Sequence, residues 1–199
     1  MRRELVIDRA GAPTIEVVGN IATDQPDAPT PCVNYSVRQL IDHLLFWAPS
    51  LAAAARKEAV PPPAVSDIDI DLTDGDWSAK LEADLSRLVT AWSDPAAWEG
   101  ATGRARQEVP ATMIGGMVCV ELVVHGSDLA RATDQKPEWE EDVVAFVHRE
   151  LRTTPIWGGQ MGAYGPEVPV DDEASTLARA LDLSRRDPAW SGTAWSPAR

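Results

Sequence analysis

Hydrophobic residues recur every three or four positions along most of this chain, a spacing that places them on one face of an α-helix. Prolines and glycines cluster between the periodic segments and mark the joints. One short stretch, residues 67–72, alternates acidic and aliphatic residues, which fits a short strand and an extended linker equally well. The predicted helices cover about residues 2–23, 36–59, 76–94, 112–133, 137–151 and 173–183, with a loop at 24–31, a polar connection at 101–110 and an irregular segment after 154.

Capping and helix-breaking residues set several of these limits. Ser36 followed by Gln39 is the pattern of a capping box, so the second helix is expected to begin there. Consecutive prolines should end that helix by Ala59, because proline does not continue a helix. Pro13 is a candidate for the true start of the first helix, since proline is favoured in a first helical turn.

The sequence of elements predicts the fold class. Three or four long helices joined by loop-rich connections indicate an all-α bundle. A chain of 199 residues suits one domain with a full hydrophobic core. We place the bundle over about residues 1–151 of this single domain (1–199) and a short irregular C-terminal extension over 152–199.

Charge and composition limit the partners and the location. With 31 acidic and 18 basic side chains, the net charge of -13 repels phosphate backbones and anionic lipids, so we expect neither nucleic acid nor a membrane as a partner. The longest apolar run, 114–120, is shorter than the ~20 residues of a membrane span. Cys32 and Cys119 follow no metal-binding or redox spacing, and no signal-peptide pattern opens the chain. We therefore expect reduced thiols and a cytoplasmic protein.

The fourth predicted helix carries the most informative residues. Glu121 and His125 lie four positions apart in a segment that is otherwise almost wholly apolar. At about 100° per residue, His125 and Asp128 fall about 40° and 20° from Glu121, whereas Cys119 lies about 160° away. A carboxylate and an imidazole in a core are costly unless something satisfies them, and a metal ion would satisfy both.

A third ligand has to come from elsewhere in the chain, which holds two further histidines. His43 lies on the predicted core face of the second helix, whereas His148 lies near the charged end of the fifth. We therefore predict a metal site formed by His43, Glu121 and His125. This set fits Zn²⁺ with an open position for water or substrate, and Fe²⁺, Ni²⁺ and Mn²⁺ also accept these ligands.

Neighbouring residues are assigned by the same helical projection. Asp128, one turn beyond His125, is predicted to hold a ligand by a hydrogen bond or to contact substrate. Trp47 and Met117 are predicted to line a pocket at the site. Two simpler interpretations stay open: Glu121 and His125 could form a solvated ion pair, and His43 could be a hydrogen-bonded core histidine.

Three segments resemble a known family. Residues 31–44 (PCVNYSVRQLIDHL), 121–133 (ELVVHGSDLARAT) and a tail that includes 164–170 (YGPEVPV) and 186–190 (RDPAW) are similar to the DinB/YfiT-like metalloproteins. More narrowly, they resemble the actinobacterial branch related to mycothiol-dependent maleylpyruvate isomerase. Two positions depart from that pattern, since Tyr35 and Ser127 stand where tryptophan is common.

The resemblance implies a fold, a ligand set and an activity. It implies a DinB-type four-helix bundle whose metal ligands are His43, Glu121 and His125. It also implies a low-molecular-weight thiol, mycothiol here, as cosubstrate, with the metal lowering the thiol pKa so that a thiolate attacks a small electrophile. The leading hypothesis is thus a thiol-dependent S-transferase or isomerase, with its catalytic residues beyond the metal ligands unassigned.

Two hypotheses of other classes stay open. One is a non-catalytic, metal-containing protein that binds a small molecule or forms a homodimer through apolar helix faces. The other is a metal-assisted hydrolase or cyclase that uses water and needs no thiol. All three share the predicted metal site and differ in what the ion activates.

Overall fold

The computed structural model describes residues 2–59, 64–104, 107–153, 174–187 and 190–192. Its α-helices and its antiparallel hairpin have the following limits: α1 Glu4–Gly19, α2 Val37–Ala55, α3 Trp77–Trp92, β1 Ala101–Arg104, β2 Gln107–Pro110, α4 Ala111–Ala132, α5 Glu141–Thr153 and α6 Thr176–Leu183. Short 3₁₀ turns occupy Asp67–Asp69 and Pro95–Trp98.

The four helices α1 to α4 form the bundle around a shared apolar core. α1 packs on α3 and α4, and α2 packs on the same two helices, while α5 lies against α4 and carries α6. Apolar side chains from α1 to α5 meet in one buried cluster. The prediction of an all-α, DinB-like bundle is confirmed. The single-domain limits stay a prediction, and the irregular segment expected after residue 154 lies outside the described residues up to 173.

The helix signals have mixed outcomes. The Ser36 side chain accepts from the Gln39 backbone N–H, and the Gln39 side chain accepts from Ser36, so the predicted capping box is confirmed. Pro13 as the start of α1 is wrong, because α1 begins at Glu4 and Pro13 lies within it. Packing of α1 on α3 and α4 keeps the helix in place around this proline. In the turn before it, the Ala10 carbonyl also accepts a hydrogen bond from the Trp139 indole.

Two connections differ from their predictions. The polar connection at 101–110 is a β-hairpin, whose Thr102 hydroxyl donates to the Ala54 carbonyl at the end of α2 (2.6 Å). The strand considered for residues 67–72 is wrong, because Asp67–Asp69 form a 3₁₀ turn. Beyond that turn the Leu72 N–H donates to the Asp42 side chain at 2.6 Å. The connection is therefore tied to α2.

α4 is the central helix of the core. By length and composition alone it could cross a membrane, but 89% of its most apolar window is buried inside the protein, as is usual for a core helix. Gly126 lets α1 approach closely, since a Cβ atom there would lie 2.5 Å from Thr14 Oγ1. The Thr14 hydroxyl uses this proximity to donate to the Leu122 carbonyl at 2.8 Å.

Candidate metal centre

α2 and α4 bring the three predicted ligands together where the two helices pack. Oε2 of Glu121 lies 3.3 Å from Nε2 of His43 and 3.0 Å from Nε2 of His125. One ligand atom of each residue lies within 4.8 Å of the others, which is the grouping that a single metal ion requires. Each side chain also keeps some exposure, between 9% and 23%, so the group is not closed off from solvent.

Each histidine is held by an aspartate at the ring nitrogen that faces away from the cluster. Nδ1 of His43 donates to Oδ2 of Asp67 at 2.6 Å, and Nδ1 of His125 donates to Oδ2 of Asp128 at 3.2 Å. An aspartate on Nδ1 fixes the ring and leaves Nε2 directed at the ligand position, the arrangement common around protein-bound metals. The donor set and its supports therefore fit a divalent ion.

Asp67 is the site residue that sequence reasoning missed most clearly. Its carboxylate also accepts from the Trp47 indole at 3.2 Å and from the Tyr35 hydroxyl at 3.3 Å. The side chain is only 13% exposed, although it lies in the connection after α2. The alternation of acidic and aliphatic residues over 67–72 is typical of aspartates that face solvent. Nothing in that pattern distinguishes Asp67 from Asp69 or Asp71.

Arg186 is the second residue that the sequence analysis did not assign to the site. Its guanidinium reaches Asp128 from the segment after α6, with Nη2 at 2.9 Å from Oδ2, and donates through Nη1 to the Ser184 carbonyl. The side chains are 4% and 1% exposed, so this is a buried ion pair. It links the C-terminal segment through Asp128 to His125.

The electrostatics of the cluster follow from these contacts. Burial lowers the pKa of His43, but hydrogen bonds to Asp67 and Glu121 outweigh it and raise the pKa to about 9. Burial raises the pKa of Glu121, yet the charge of His125 and hydrogen bonds from both imidazoles hold it well below its usual range. The group thus keeps Glu121 ionised and favours the protonated form of His43, an environment that also suits a bound cation.

Three further residues considered for the site are Trp47, Met117 and His148. Trp47 binds Asp67, and Met117 is buried in the core, so their pocket-lining role stays a prediction. His148 lies on α5, half-buried, and its pKa is lowered by burial and by Arg152 and Arg179.

The protein's own thiols are poorly suited to nucleophilic chemistry. Cys32 is buried, which raises its pKa to about 11 although Arg186 partly opposes the shift. Cys119 is completely buried, and both burial and the charge of Glu150 raise its pKa further. With pKa values this high, both of the chain's cysteines stay protonated near neutral pH. Neither is therefore a good nucleophile, because the thiolate is the reactive form of cysteine.

The helical bundle with this His–Glu–His cluster is of the DinB-like class. Residues 7–130 match the family model of the mycothiol maleylpyruvate isomerase N-terminal domain, and the chain belongs to that family. The predicted resemblance is therefore confirmed. No curated protein and no solved structure shows a significant match to the chain. Family and cluster together indicate a mycothiol-related protein with a site that could hold a metal ion.

Proposed function

We propose that the protein binds one divalent ion, Zn²⁺ in the first instance, through His43, Glu121 and His125, and that it acts as a mycothiol-dependent S-transferase or isomerase on a small electrophile. The observation that carries the proposal is the pair of imidazoles, each held at Nδ1 by an aspartate, with both Nε2 atoms directed at one carboxylate. When bound, such an ion lowers the pKa of a coordinated thiol.

The residues of the chain supply the rest of the site. Asp67 and Asp128 fix the two rings, so that Nε2 of each is the nitrogen presented to a ligand. Glu121 contributes a negative charge, and its pKa keeps it ionised. Cys32 and Cys119 are buried and protonated, so the thiol that reacts comes from a cosubstrate.

Two reactions share this chemistry. In an S-transfer, the thiol gives its proton to solvent, its sulfur forms a bond to an electrophilic carbon, and the leaving group departs with the electrons of the broken bond. In an isomerisation, the thiolate adds to a conjugated double bond, the adduct rotates about the resulting single bond, and elimination restores both the double bond and the thiolate. Either reaction requires a small electrophile to reach the cluster, whose three ligand side chains are not fully buried.

Metal binding is tested first. Zn²⁺ affinity is measured by competition with a chromophoric chelator for wild type, His125→Ala and His148→Ala. Loss of a direct ligand should weaken binding by more than the roughly 10–100-fold typical of an outer hydrogen-bond partner. His148→Ala is the matched control, because that histidine lies on α5, and it should bind as wild type does. A wild-type protein with neither bound metal nor a gain in stability on adding Zn²⁺ would refute the site.

Thiol use is tested next on the Co²⁺-loaded wild-type protein. Adding mycothiol should produce a thiolate-to-cobalt charge-transfer band, and His148→Ala should give the same band. No band at millimolar thiol contradicts the thiol-dependent proposal and favours the small-molecule-binding alternative. Turnover of an electrophile at an equal rate without thiol contradicts it in favour of a hydrolase or cyclase.

A further inference from the structure

A histidine that binds a metal through Nε2 carries its proton on Nδ1, and that proton needs an acceptor. For His125 the acceptor is Asp128, three residues later on the same helix. For His43, no residue of its own helix α2 is among the described hydrogen-bond partners of Nδ1. The acceptor is instead Asp67, 24 residues further along the chain.

The contacts of Asp67 converge on one atom. Oδ2 receives the His43 Nδ1–H at 2.6 Å, the Trp47 indole N–H at 3.2 Å and the Tyr35 hydroxyl at 3.3 Å. The bond to His43 is the shortest of the three, and charge-assisted bonds of this length are among the stronger ones. Trp47 and Tyr35 therefore orient the carboxylate, and the carboxylate orients the ring.

The connection that carries Asp67 is itself held on α2. The Asp42 side chain, one residue before His43 in α2, accepts the Leu72 N–H at 2.6 Å. The stretch from Asp67 to Leu72 is thus attached to the same helix at both ends. A surface linker needs no such double attachment, but a residue that has to stay within 2.6 Å of an imidazole does.

We infer that Asp67 is a positioning residue of the metal centre: it fixes the tautomer and ring orientation of His43 and so sets the affinity for the ion. This inference rests on the proposed metal site. It assigns a role in that site to the connection between α2 and α3, outside the two helices that carry the ligands.

The test compares three variants with the wild-type protein. Asp67→Ala removes the acceptor, Asp67→Asn keeps an acceptor oxygen without the charge, and Asp69→Ala removes an exposed aspartate from the same 3₁₀ turn. Zn²⁺ affinity is measured by chelator competition, the visible spectrum is recorded with Co²⁺, and urea unfolding of the metal-free proteins reports on folding.

We expect Asp67→Ala to bind Zn²⁺ about 10–100-fold more weakly than wild type, with an altered Co²⁺ spectrum. Asp67→Asn should bind more tightly than Asp67→Ala, because the amide oxygen still accepts from Nδ1. Asp69→Ala should match wild type in both readouts. A purely structural tie would change the urea midpoint of Asp67→Ala without changing the Co²⁺ spectrum.

Two outcomes overturn the inference, and they differ. If wild type binds Zn²⁺ and Asp67→Ala binds it equally well with an unchanged Co²⁺ spectrum, Asp67 does not position His43 and the metal site stands. If wild type itself binds no metal, the proposed site fails and the inference fails with it.

Discussion

The two histidines of the cluster have the same kind of support, built in different ways. His125 is held by an aspartate of its own helix, which is completely buried and neutralised by Arg186. His43 is held by Asp67 from a connecting segment, at a place where the side chains keep more contact with solvent. The first half of the site is fixed by helix geometry and a buried ion pair, and the second by hydrogen bonds to a loop.

This difference shows which forces each half depends on. A buried charge pair is costly to break, because one charge is then left without a partner in the core. A partly exposed carboxylate that loses one donor can still be solvated, so the loss is smaller. Removing Arg186, which supports the His125 half, should therefore appear mainly in protein stability, and removing Asp67, which supports the His43 half, mainly in metal affinity.

The largest expected effect follows from removing Arg186. Arg186→Met leaves Asp128 charged and buried, and should lower the free energy of unfolding by about 3–5 kcal/mol, measured by urea denaturation. Arg152→Met, at an exposed arginine of α5, is the control and should change it by less than about 0.5 kcal/mol. Adding Asp128→Asn to Arg186→Met should recover part of the loss. A loss from Arg186→Met no larger than that of the control would contradict the contrast between the two halves.

A second effect concerns the pH dependence of the metal-free protein. The pKa of His43 is about 9 in the fold, above its ordinary value of 6.5, so the folded state binds the proton more tightly. Its contribution to stability is complete below pH 6.5 and is lost as the pH rises through 9, on the order of 3 kcal/mol in total. Urea unfolding in the presence of a chelator, between pH 6 and pH 9, should show this decline.

The matched variant for the pH experiment is His43→Gln, which removes the titrating ring. Its stability should decline less over the same interval than that of wild type. Equal slopes for the two proteins would show that His43 does not carry the effect.

The smallest effect is expected for Tyr35→Phe. The change removes one donor to Asp67 at 3.3 Å, while His43 and Trp47 remain bound to the carboxylate. Stability should fall by about 0.5–1 kcal/mol and Zn²⁺ affinity by much less than in Asp67→Ala. Chelator competition on the two variants side by side checks this order, and an equal loss in both would make the tyrosine as important as the aspartate.

Sequence reasoning succeeds where a single helix decides the geometry. Glu121, His125 and Asp128 follow from the period of α4 alone, and the capping box of α2 from two side chains three apart. His43 could be selected because the chain holds few histidines and this one lies on a core face. Each of these inferences needs only local spacing and burial.

The parts that were missed depend on contacts between distant segments. Asp67 and Arg186 acquire their roles from packing across 24 and 58 residues, and no periodic pattern reports such contacts. The hairpin at Ala101–Arg104 and Gln107–Pro110 has strands too short for alternation to be visible. Pro13 lies within α1 and not at its start, because packing of α1 against the core outweighs the local cost of an internal proline.

The spacing of the site along the chain also sets an order of assembly during synthesis. His43 and Asp67 are separated by 24 residues, whereas 78 residues separate His43 from Glu121. At a synthesis rate of about 5–20 residues per second, roughly 4–16 s pass between the addition of His43 and the addition of Glu121. The shorter loop also has the smaller entropic cost of closure, so His43 can form its hydrogen bond to Asp67 before Glu121 is available. Arg186 follows Asp128 by another 58 residues, and its ion pair is therefore the last part of the site to close on a nascent chain.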